Sequence, residues 1–159
     1  MKRTQDLKAQ YQLQMDEEGV LLAAATILER RLQRQGRIHS PEQAASYLVA
    51  RCAHLSHEIF GVVFLDTKHH ILATEHLFSG TIDGCEVHPR VVAKRALELN
   101  AVALVLFHNH PSGSPEPSEA DRKVTQRLQE ALGLLDIRVL DHLVIGGQKS
   151  VSLAARGWA

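Results

Sequence analysis

"AVALVLFHNHPSGSPEPSEAD", residues 101–121, opens as a continuous apolar run of strand length and ends as the start of a helix. An unbroken apolar run of that length suits a central strand buried on both faces. On a strand, residues two apart point to the same face. His108 and His110 therefore leave the end of this strand together, and their imidazoles can converge. Pro111 ends the strand, and a loop of Ser, Gly, Pro and Glu returns the chain to Ser118-x-x-Asp121. That tetrad is an ordinary helix start, with Ser118 at the N-cap and an acid at the third helical position. It also presents Asp121 beside the histidines. Two imidazoles and one carboxylate form a three-ligand set with an open fourth position, the catalytic rather than the structural zinc pattern.

Working outward, residues 17–35 read as a helix with Val20, Ala24, Ile27, Leu28, Arg31 and Leu32 along one stripe and Gly36 as its stop. Residues 40–55 form a second helix, with Ser40 as N-cap, Pro41 at the first helical position and Gln43 completing a capping box. Residues 58–66 and 70–80 read as strands joined by the turn "TKHH". A helix over 88–100 ends at Asn100, another runs over 118–132, and strands at 136–147 and 149–155 flank a Gly-Gly turn. The pattern predicts an α/β domain with a mixed sheet over residues 37–159, preceded by a helical extension over 1–36.

Composition sets the outer limits. At 159 residues, 45% apolar and 23% charged, the chain has the make-up of one globular domain. Lys plus Arg equals Asp plus Glu, 18 each, so no global basic field points to nucleic acid. Cys52 and Cys85 lack any paired spacing, which disfavours a disulfide framework and suits a reducing cytoplasm. The stretch "VLLAAATILE" is short and bracketed by charge, so neither a signal peptide nor a membrane span is expected.

The motif H-x-H-P-x6-S-x-x-D fixes five positions between His108 and Asp121. The literal string His-Asn-His is not an HNH nuclease signature, whose three residues are spread over a ββα hairpin. Asn109 faces away from its neighbours and reads as a hydrogen-bonding residue behind them. The motif resembles the JAMM metalloprotease motif in the form used by RadC-like proteins. "EIFGVVFLD", "LFSGTIDGCEVHPR", "ALELNAVALVLFHNHPSG" and "LDHLVIGG" resemble that family in order and spacing, from about residue 40 to the C-terminus. The resemblance implies a JAB/MPN sandwich, related in architecture to cytidine deaminases. It implies zinc held by His108, His110 and Asp121, and hydrolysis of a peptide or isopeptide bond in a protein or peptide substrate. Glu58 matches the family's E-x-x-G stretch and would be the general base; Ser118 would donate to the developing oxyanion. Residues 1–37 hold no G-x-G hairpin of the helix-hairpin-helix module of full-length RadC proteins, which resembles the short form of mobile elements.

Glu75 and Glu86 are rival bases. Asp141-His142 either orients a ligand imidazole or holds a strand end, and Arg90 either grips a substrate or anchors a loop. Cys85 has no base beside it in sequence and makes a poor nucleophile. His69 and His70 read as a solvated turn, and the basic "ERRLQRQGR" as a solvated helix face. A catalytically idle scaffold, a DNA-associated accessory factor and another zinc hydrolysis such as deamination stay open. Nucleic acid is disfavoured by the charge balance, and a homodimer through the N-terminal helix is left open.

Overall fold

The apolar run becomes β3 (Ala103–Asn109), the middle strand of a five-stranded sheet, and every residue of it is buried. The coordinates are a computed structural model that describes residues 17–80 and 86–159, without the side chains of residues 31–35. The first sixteen residues of the extension, most side chains of the basic cluster, and residues 81–85 with Cys85 lie outside the described residues. In chain order the other elements are α1 (Glu17–Gln35), α2 (Pro41–Cys52), β1 (Glu58–Leu65), β2 (Ile71–Gly80) and α3 (Pro89–Glu98). After β3 come α4 (Glu119–Gly133), β4 (Arg138–Gly146) and β5 (Lys149–Ser152).

The sheet order is β2-β1-β3-β4-β5, antiparallel throughout except between β3 and β4. A parallel pair needs a crossover. Here the crossover is the motif loop plus α4, so the mixed sheet is what places the loop at the carboxyl end of β3. No helix among the described residues is long and apolar enough to cross a membrane.

Strand alternation sorts the core into two layers. Ile59, Val63, Leu65, Ala103, Val105 and Phe107 pack with Tyr47 and Leu48 of α2 on one face. Phe60, Val62, Phe64, Leu104 and Leu106 pack on the other with Val92 and Ala96 of α3 and Leu128 and Leu132 of α4. His108 continues the row Leu104-Leu106 toward α4. Ser40 caps α2, its hydroxyl accepting from Gln43 N at 3.2 Å, while Gln43 Oε1 accepts from His39 N at 3.2 Å.

The frame of α1 differs from the expected stripe. Ala25 is buried and Leu28 packs on the core, whereas Val20 and Ile27 are exposed. The apolar sequence VLLAAATIL allows several faces. The face with small residues wins because Leu21 and Ala24 sit beside Ala45 and Val49 of α2. β4 starts at Arg138 rather than 136, since Asp136 takes a left-handed turn (φ 58°). His69 is likewise left-handed, and His70 Nδ1 pairs with Asp66 at 2.8 Å rather than standing free in solvent.

Gly61 is forced by packing. A Cβ there would lie 2.2 Å from Cζ of the buried Phe107 ring. Gly61→Ala is expected to cost about 1–3 kcal/mol in denaturant unfolding through overpacking. Adding Phe107→Leu should recover part of that loss; no recovery would show that the ring is not the obstacle.

Candidate metal centre

Antiparallel pairing of β1 with β3 opposes Phe60 to His108 and ends there. Continued by two residues, the same register brings Glu58 opposite His110, on the face that points to α4. Asn109, directed to the other side, joins the strand ends laterally. Its Oδ1 accepts from Ile59 N at 2.8 Å and its Nδ2 donates to His57 O at 3.0 Å, clasping the backbone on both sides of Glu58.

The first turn of α4 closes the site. Ser118 Oγ accepts from Asp121 N at 3.1 Å and donates to Asp121 Oδ2 at 2.8 Å; Ser118 N donates to the same oxygen at 2.7 Å. With Oδ2 so held, Oδ1 lies 3.1 Å from His108 Nε2. His110 Nε2 lies 2.9 Å from His108 Nε2 and 3.6 Å from Asp121 Oδ2. One donor atom from each of the three residues falls within 4.8 Å of the others.

Hydrogen-bond polarity tests whether this set suits a cation. His110 Nδ1 lies 2.9 Å from Ser114 O, and a carbonyl can only accept, so Nδ1 carries the proton and Nε2 turns a lone pair inward. Asp121 remains ionised: burial would raise its pKa, but the His108 and His110 rings beside it and the backbone hydrogen bond from Ser118 hold it well below the ordinary carboxylate range. Inward-facing lone pairs beside a carboxylate repel unless positive charge lies among them. Two imidazoles and a carboxylate oxygen fit zinc or a similar divalent transition ion. His108 is 2% exposed, whereas His110 and Asp121 retain partial access, so the fourth side opens to solvent.

Burial outweighs the opposing pull of His108 and His110 and raises the Glu58 pKa. The rivals are occupied or remote. Glu75 is held by Arg95 through contacts of 2.6–3.0 Å, and Glu86 is exposed with its carboxylate 4.0 Å from His88 Nε2. Arg90 is exposed and makes no ion pair among the described residues. Asp141 and His142 part company. Asp141 accepts from His142 N, Ala154 N and Ser152 Oγ and ties β4 to the C-terminal segment. His142 lies fully buried, 2.8 Å from His108 Nδ1.

Three contributors had no sequence signal. Thr125 bonds both His142 Nδ1 and Asp121 O. Arg156 grips Glu116 of the motif loop at 2.5 and 2.8 Å. The loop rim is thus less anionic than its own sequence suggests, because the tail compensates Glu116. Trp158 lies under both Arg156 and Arg122, bringing the tail against the start of α4.

The RadC-like JAB domain matches residues 38–158. The chain belongs to the RadC-like JAB family. UPF0758 proteins of Stutzerimonas stutzeri and Vibrio cholerae are each 52% identical to it, over 141 and 142 residues and 89% of the chain. That of Xanthomonas campestris pv. campestris is 55% identical over 127 residues, 80% of the chain. The chain spans 63% of the length of the Stutzerimonas relative, 56% of the Xanthomonas one and 89% of the Vibrio one.

In this RadC-like chain the LVIGG segment also earns a role at the centre. A Cβ on Gly146 would lie 2.3 Å from the backbone at Ser114 and Pro115. Backbone cannot swing aside as a side-chain tip can. Gly146→Ala should push the loop outward, withdraw Ser114 O from His110, and weaken the affinity of the three-donor set for a divalent ion about tenfold or more. Chelator competition measures it; unchanged affinity would show that the loop's seat on β4 does not hold His110.

Proposed function

We propose that this chain is a zinc-dependent hydrolase of peptide or isopeptide bonds, with His108, His110 and Asp121 as ligands and Glu58 as general base. The observation that carries it is the meeting of a proton-accepting carboxylate with a solvent-open three-donor set at one end of β1 and β3. Zinc held there would supply Lewis acidity at neutral pH.

Glu58 faces the open side with a raised pKa, which suits a group that takes a proton from water and returns it to a leaving amine. The Asn109 clasp fixes its backbone against the strand that bears both histidines. Ser118 holds Asp121 by two bonds, and its hydroxyl proton points to Oδ2. An oxyanion role would require that hydroxyl to turn outward once substrate binds. The substrate would be a protein or peptide whose scissile carbonyl enters between Glu58 and His110.

Zinc analysis should give one ion per chain. Glu58→Gln should keep that zinc and the thermal stability while losing turnover by 100-fold or more, on the order of a general base's contribution. Glu75→Gln should stay active, its loss falling on the contact with Arg95. The assay offers linear peptides, isopeptide-linked peptides, DNA and free nucleosides to zinc-loaded protein. Glu58-dependent cleavage of an amide is expected. Glu58-dependent nicking of DNA without peptide cleavage would overturn the proposal, and nucleoside deamination would move it to a different zinc hydrolysis.

A further inference from the structure

We infer that His142 and Thr125 are positioning residues that fix the tautomer of His108 so that Nε2 faces the centre as a lone pair. The inference rests on the metal centre proposed above, and on a hydrogen-bonded chain whose direction is forced.

Thr125 Oγ1 lies 2.7 Å from Asp121 O and 2.5 Å from His142 Nδ1. A carbonyl oxygen only accepts, and a threonine hydroxyl has one proton to give. That proton goes to Asp121 O, so Oγ1 accepts from His142 Nδ1–H. His142 is fully buried, and among the described residues its ring nitrogens meet only a hydroxyl and another imidazole, so with one proton on Nδ1 the ring is neutral and its Nε2 is a lone pair. His142 Nε2 must therefore accept from His108 Nδ1–H, 2.8 Å away. With its proton on Nδ1, His108 turns an Nε2 lone pair toward Asp121 Oδ1 and His110 Nε2. The chain thus starts at Asp121 O and ends at the inward lone pair of His108, which faces the carboxylate of the same aspartate.

The setting leaves these groups no other partner. His108, Thr125 and His142 are among the few buried polar residues, and the Phe60 ring stacks on His108 while meeting His142 edge-on. All three are buried away from bulk solvent, so a missing bond is costly. Removing the Thr125 hydroxyl would strand His142 Nδ1–H, and moving that proton to Nε2 would make His142 the donor to His108. His108 would then carry its own proton on Nε2, where it blocks a cation.

The test reads tautomers directly, by long-range proton–nitrogen NMR of the histidine rings in zinc-free protein at mildly alkaline pH. The wild-type protein should show Nδ1–H for both His108 and His142. Thr125→Val, nearly isosteric, should move the His108 proton to Nε2 and weaken zinc binding by about ten- to a hundredfold in chelator competition. Thr125→Ser should behave as wild type. Thr125→Ala replaces the valine variant if that does not fold, and the wild-type tautomers need no variant. An Nε2–H tautomer of His108 in the wild type, or a Thr125→Val variant with unchanged tautomer and zinc affinity, would overturn the inference. Protein that shows the stated tautomers yet takes up no zinc would uphold the chain and refute the metal centre instead.

Discussion

Pairing of Phe60 with His108 across β1 and β3 is the contact on which the site depends. Side chains alternate across a strand, so a one-residue slip would turn Leu104, Leu106 and His108 away from α4 and exchange every core contact on both faces. The slip is prevented from both sides of the sheet. Phe107 fills the space left by Gly61 on the α2 face, and Phe60 lies against His108 on the α4 face. The glycine and aromatic residues that build the core thus also determine that Glu58 emerges opposite His110.

Polar groups buried this deeply must be satisfied, because each orphaned donor or acceptor costs about 1–3 kcal/mol. His108, Asn109, Thr125 and His142 each have partners, and apart from the bond of Thr125 to Asp121 O within α4 these bonds join different segments. Asn109 joins β3 to the entry of β1. His142 joins β4 to β3, and Thr125 joins α4 to β4. The site is therefore welded from three strands and a helix, which suits a centre whose donors must hold their geometry while one side stays open.

Much of this was legible in the chain. A strand-rich stretch bounded by a turn at β1, an unbroken apolar run in β3 and the S-x-x-D helix start are local signals, and the elements they announce are present. The three converging donors were legible for the same reason, since they lie on one strand end and one helix start. What escaped were choices made between distant segments. The stripe on α1 was misread because its apolar residues are compatible with several faces, and only the alanines of α2 select one. Thr125 looked like any residue of a helix until β4 brought His142 beside it. Arg156, forty residues from Glu116, gives no local sign that it will compensate the motif loop.

Two carboxylates within one site are assigned their work by surroundings rather than by residue type. Burial pushes the pKa of each upward. For Asp121, that push is overcome by the imidazoles beside it, and Ser118 secures the carboxylate further, so it stays charged and fixed. Glu58 meets the same histidines only through space, with Asp121 adding a like charge, and burial prevails. One acid is thereby suited to holding a cation permanently and the other to carrying a proton briefly. Environments that drive two titratable groups apart in this way are how a single fold separates a ligand from a base. Here the separation follows from position: Asp121 lies in a capped helical turn aimed at both rings, and Glu58 at a strand end held only by its backbone.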